Sequence, residues 1–158
     1  MEALDVETSR AEGEQALQAL IAFVRENAGQ LAAHEAEKGI CKRLLPMGLA
    51  AMKLYLAQRG TGDMGPAVTR ADGMLLPREQ KLRGRDYFSI FGKFKVARTC
   101  YRAPAEPGSF PLDAQVNLPE RCYSYFLQEW MTVFEVEHPF NSKVTGDFRE
   151  ITRHPDIA

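Results

Sequence analysis

Along the first 60 residues, apolar positions recur at helical spacing. Leu17, Leu20, Ile21, Val24, Ala28 and Leu31 line one face of a helix predicted over 9–38, with Glu14, Gln18, Arg25, Glu26 and Gln30 elsewhere around it. Ser9 and Glu12 stand at the S-x-x-E spacing of a capping box, and Gly29 and Gly39 weaken or end the run. A second helix is predicted over 40–58. Leu45, Leu49, Met52 and Leu56 form its buried stripe, Lys42, Arg43 and Lys53 face solvent, Pro46 kinks or splits it, and Gly60 caps it.

Beyond residue 60 the period is lost. Residues 61–86 read as a basic linker, because glycines and prolines interrupt every run. From residue 87 the pattern alternates. Tyr87–Phe91 and Phe94–Tyr101 read as two strands joined by a Gly92-Lys93 turn of type II′. Phe94, Val96, Arg98 and Cys100 share one face of the return strand, and Lys95, Ala97, Thr99 and Tyr101 the other. Two strands alone are marginal, so the hairpin must pack on another element. After a Pro-rich connection, a helix is predicted over 119–137. Pro119 stands at its first position, and Tyr123, Phe126, Leu127, Trp130, Met131 and Phe134 form a wide face toward the core. Asn141 or Ser142 opens a last short helix with Val144, Phe148 and Ile151 on one side. The fold class this predicts is α+β, mainly helical, with one central β-hairpin or small antiparallel sheet. Its segments are a helical 1–60, the linker 61–86, and a hairpin with amphipathic helices over 87–158.

Charge changes this picture. The net charge of −1 conceals thirteen basic and four acidic side chains within residues 41–102, a local net of +9, between flanks of −5 each. A basic block of this kind is a candidate phosphate-binding surface, unless the acidic flanks pack beside it and neutralise it. The candidate DNA contacts are Arg78, Lys81, Arg83, Arg85, Lys93, Lys95, Arg98 and Arg102. A two-stranded ribbon can enter a major groove while cations hold the backbone. Arg98 carries an alternative role as an internal salt-bridge partner, since it shares a face with Phe94 and Val96. Tyr87, Phe88, Phe91 and Tyr101 read as packing residues.

Catalytic chemistry finds little support. His34, His138 and His154 are widely separated, "GTGDMG" lacks the Gly-Lys-Ser/Thr end of a phosphate-cradling loop, and Glu135 and Glu137 point to different sides of a helix. Cys41, Cys100 and Cys122 form no CxxC pair, so neither a zinc ribbon nor a disulfide framework is predicted. The acidic, polar N-terminus is no signal peptide, and no apolar run reaches the length of a membrane span. A cytoplasmic protein without a membrane partner is the expectation.

The order of motifs carries a resemblance. "YFSIFGKFKVARTCYR", then "FPLDAQVNLP", then "CYSYFLQEWM" resembles the N-terminal region of ISKra-type insertion-sequence transposases over roughly residues 35–140. The shared positions are Phe91-Gly92, Arg98, Tyr101, Pro111-Leu112-Asp113, Leu118-Pro119 and Tyr123-Ser124. The resemblance implies a segment that binds double-stranded DNA at the ends of its element and performs no strand transfer. The family's catalytic domain, with its three carboxylates and divalent metal ions, lies downstream of this region, and the chain stops at Ala158. Paired cysteines near the family's hairpin are reduced here to Cys100, so no metal site is carried over. Asp113 reads as a turn-forming Asp bonded to nearby backbone. Two other readings stand beside this one. The first is a non-enzymatic interaction module that forms a homodimer through the N-terminal helix, and the second is an inactive transposase remnant.

Overall fold

Asp5, rather than Ser9, opens the first helix. The computed structural model describes residues 2–137, with side chains through Val133. The Asp5 carboxylate accepts from Thr8 N at 2.7 Å and from the Thr8 hydroxyl at 2.6 Å, an N-cap that starts α1 (Val6–Asn27). Ser9 is buried inside that helix instead of capping it. α1 stops at Asn27, whose side-chain amide donates to Phe23 O, and α2 (Ala33–Arg59) begins after a short turn. The single helix predicted over 9–38 is therefore two antiparallel helices.

Gly39 does not end a helix, because α2 runs through it. It makes room for Phe23, whose ring lies so close that a Cβ on Gly39 would stand 2.1 Å from Phe23 Cζ. The Arg43 guanidinium covers the same ring at 3.7 Å from its centre. α2 also continues across Pro46, so the predicted split is absent.

The segment read as a linker is folded. β1 (Ala67–Thr69) and β2 (Leu75–Pro77) pair antiparallel around a turn in which Gly73 takes a φ of +85°. The end of the same segment opens β3 (Arg83–Ser89), which pairs antiparallel with β4 (Gly92–Arg98). Ile90 and Phe91 form the turn, two residues earlier than predicted. The positive φ, +138°, falls on Gly92 at the start of β4, where the chain passes Leu49 of α2. Ser89 Oγ donates to Gly92 O and accepts from Phe91 N, which braces the turn. Moving the turn by two residues changes every cross-strand partner but not which face a side chain takes. The alternation read from the sequence therefore holds.

The hairpin packs on both faces. On one, Phe94 and Val96 meet Leu56 of α2 and Leu112 of the short helix α3 (Pro111–Gln115), with Leu49, Met52 and Tyr87 around them. Burying each of these aliphatic and aromatic side chains stabilises the fold by about 1.5–3 kcal/mol before entropic costs. On the other face, Phe88 packs against Leu127 of α4 (Tyr125–Glu137), with Tyr123 and Met131 beside them. α4 starts later than Pro119. Ser124 Oγ accepts from Leu127 N at 3.0 Å and caps it, while Phe88 and the 122–124 backbone exchange hydrogen bonds. The wide aromatic face predicted for this helix is divided. Leu127 is fully buried, whereas Phe126 and Trp130 are exposed.

The result is a mainly helical α+β fold with two small antiparallel sheets. The short helix predicted after Asn141 or Ser142 lies outside the described residues. Among the described residues no helix is long and apolar enough to cross a membrane.

Candidate nucleic-acid interface

The eight candidate cations all lie on β3, β4 and the chain that flanks them, and they sort into three groups. Arg85 and Arg98 form the first group and point inward. Arg98 sits on β4 beside Val96, and its Nη1 donates to Asp113 Oδ2 at 2.5 Å. Its guanidinium also stacks over Phe110 at 4.0 Å. Arg85 donates to the same carboxylate oxygen at 3.2 Å, and its Nη2 donates to the carbonyls of Pro119 and Arg121. The Asp113 carboxylate thus ties both hairpin strands to α3, and Arg85 extends the tie to the chain that enters α4. Asp113 stands in the first turn of α3, behind Pro111, so it is an arginine acceptor and not the turn-forming Asp expected from "PLD". Arg98 Nε and Asp113 Oδ1 are buried without a hydrogen-bond partner among the described residues.

The second group is half-exposed and ion-paired. Arg83 and Arg102 share Glu79, at 2.7 Å and 2.6 Å. Arg78 pairs with Asp63, and Lys93 lies 3.4 Å from Asp86 while its ammonium covers the Phe88 ring. The Arg83 hydrogen bond holds the Glu79 carboxyl below the usual carboxylate range. The backbone N–H of Gly65 is the main cause of the same shift at Asp63, which Tyr101 and Arg78 reinforce. Tyr101 is completely buried. Its hydroxyl accepts from Met64 N at 2.6 Å and lies 3.1 Å from both Asp63 Oδ1 and Gly65 O, which fixes the turn carrying Asp63.

Lys81 and Lys95 form the third group. Both are exposed, and neither has an ion-pair partner among the described residues. Lys95 lies on the same face of β4 as Lys93, and Lys81 precedes β3 by two residues.

Energetics decides which of these cations a phosphate can recruit. An exposed ion pair is worth about 0–1 kcal/mol, so Arg78, Arg83, Lys93 and Arg102 can exchange a carboxylate for a phosphate at small cost. Breaking a buried pair costs about 3–5 kcal/mol, which keeps Arg85 and Arg98 in the interior. No family model, curated protein or solved structure matches the chain. The arrangement itself therefore carries the functional reading. An open groove of about 490 Å³ lies among Thr61, Asp63, Arg78, Glu79, Gln80 and Thr99. Its two carboxylates make it a poor phosphate cradle. Among the described residues no cluster of His, Cys, Asp and Glu is placed to hold a metal ion.

The aromatic residues Phe88, Phe91 and Tyr101 serve packing. Phe91 projects from the turn onto Gly48 of α2, where a Cβ would stand 2.3 Å from its ring. Asp63, Glu79 and Asp113 organise the arginines, and none was among the residues singled out for a site. Each is distant in sequence from at least one of its partners, so spacing gave no signal for them.

Proposed function

We propose that the chain is a cytoplasmic DNA-binding segment of a transposase-like protein. It recognises element DNA through the β3–β4 ribbon and performs no strand transfer itself. One observation supports this reading. The six candidate cations that reach solvent, Arg78, Lys81, Arg83, Lys93, Lys95 and Arg102, face only three carboxylates, Asp63, Glu79 and Asp86. The surplus of three positive charges sits at the two ends of one ribbon. Backbone phosphates are the ligand that rewards such a surplus, through release of condensed counterions.

The test is binding of the full chain to duplex DNA across a salt series. The logarithm of the binding constant should fall linearly with the logarithm of salt, with a slope of about −0.9 per phosphate contacted. A salt-independent constant, or no binding at low salt, overturns the reading.

A further inference from the structure

α1 and α2 form an arm whose outer side has no partner within the chain. Glu12, Gly13 and Phe23 of α1 lie opposite Lys53, Ala50 and Gly39 of α2, which fixes the antiparallel register and the line of contact between the helices. Successive residues turn by about 100° around a helix. On α1, Leu17, Ile21 and Val24 stand about 60–120° round from that line. On α2, Ile40, Leu44, Met47, Ala51 and Tyr55 stand about 85–165° round. The helices run in opposite directions, so these turns carry both stripes to the same side of the arm. Leu49, Met52 and Leu56 reach the hairpin core from the other flank of α2, and the hairpin meets this side only at its edge, where Phe91 of the turn lies on Gly48 beside Leu44 and Tyr55.

The stripes are uncharged from Leu17 to Val24 and from Ile40 to Tyr55, with exposed Arg10 continuing the α1 side toward the Ala51–Tyr55 end, and Leu17, Val24, Leu44 and Tyr55 are exposed. No residue from Arg10 to Leu49 is fully buried, so the arm closes no core of its own over that length. Two helices in that state gain little from tertiary packing, which is the main source of helix stability in proteins.

We propose that a second copy of the chain packs on this face, so that two αα-hairpins close into a four-helix bundle. A two-fold axis parallel to the helices sets α1 of each copy antiparallel across α2 of the other. In the register of the arm, Val24 then meets Ile40, and Leu17 falls between Leu44 and Met47. The same operation places Arg25, which flanks the α1 stripe, beside Glu37, which flanks the α2 stripe. Both are exposed, and neither has an ion-pair partner among the described residues. A two-fold interface must complement itself, and an apolar centre with opposite charges on the two helices at one end does so. From Ile40 to Tyr55 the face is about 22 Å long and about 20 Å wide, or about 900 Å² over both copies, the size of a weak, concentration-dependent interface.

Sedimentation equilibrium of the full chain, without DNA, tests this independently of what the ribbon binds. The expected species is twice the 17.7 kDa of one chain. Val24→Asp and Leu44→Asp should each weaken the dimer at least about tenfold while far-UV circular dichroism keeps the helical signal. Arg25→Glu and Glu37→Arg, both at exposed positions, should each weaken it about two- to tenfold, and together restore it. A wild-type monomer at all concentrations overturns the proposal and leaves the face to another chain. A dimer unaffected by the apolar variants, or a charge pair that fails to rescue, overturns this packing.

Discussion

Replacing Asp113 by Asn tests whether the "PLD" carboxylate holds the fold. Asn keeps the shape and one acceptor oxygen but removes the charge. Two arginines lose their carboxylate, with side chains only 10% and 16% exposed. Loss of one partner from a fully buried pair costs about 3–5 kcal/mol. Two features lower that figure here. Asp113 itself is 25% exposed, and Arg85 keeps the carbonyls of Pro119 and Arg121. Arg98 has no such reserve, since its Nε has no hydrogen-bond partner among the described residues. The expected loss is about 2–3 kcal/mol. With a urea m-value of about 2 kcal/mol/M, the unfolding midpoint should fall by about 1–1.5 M. The companion variant Arg98→Met and the double variant complete a cycle, in which the coupling should exceed about 1 kcal/mol. An Asp113→Asn midpoint within about 0.3 M of wild type would refute the reasoning. It would mean that solvent reaches the cluster well enough to replace the carboxylate.

Three further predictions concern separate parts of the molecule. Lys81→Ala with Lys95→Ala should leave stability within about 0.5 kcal/mol and reduce the salt slope of DNA binding by about two; an unchanged slope excludes both lysines as phosphate contacts. Gly48→Ala should destabilise by about 1–3 kcal/mol, against the usual gain of about 1 kcal/mol for Gly→Ala in a helix, because the methyl group meets Phe91. Gly29→Ala, with nothing within 4 Å, should be neutral or stabilising, and equal effects at the two sites in urea unfolding would refute the packing argument. Asp72 is held at a pKa of about 2, chiefly by the Arg70 guanidinium, against an ordinary 3.8. Its contribution to stability is therefore complete above pH 3.8 and lost as pH falls toward 2. An NMR titration of Asp72 with a midpoint near 3.8 counts against the Arg70 contact.

Local rules were legible in the sequence where a residue's neighbours in the chain were also its neighbours in space. The alternation along β4 and the existence of two N-terminal helical stretches came from such rules. The failures share one cause. Asp5 outcompeted Ser9 as a cap because Thr8 gives it two hydrogen bonds, which a capping-box pattern does not weigh. Gly39 looked like a breaker because its reason, the Phe23 ring, lies on another helix. Residues 61–86 looked like a linker because strands of three residues are too short to show a period. The ion pairs of Arg78, Arg98 and Arg102 join residues at least 15 positions apart. A charge count along the chain sees the +9 block but not the carboxylates that enter it from outside.

The residues that carry the transposase resemblance divide sharply from those that could touch DNA. Arg98 binds Asp113, Tyr101 and Leu112 are fully buried, Ser124 caps α4, and the Pro119 carbonyl accepts from Arg85. Gly92 supplies a positive φ, and Tyr123 stacks on Phe88 at 5.1 Å. Every one of these acts on the fold. A shared order of such residues therefore speaks first to a shared way of bracing a hairpin between helices, and a fold does not by itself fix a function. On the proposed reading, recognition of a nucleic acid falls to side chains outside the motif, and Lys81 and Lys95 are the two candidate cations with no structural duty among the described residues. The variants then separate the two levels. Loss of DNA binding with loss of stability in Asp113→Asn reports on the brace, whereas loss of binding at full stability in the lysine pair reports on the interface.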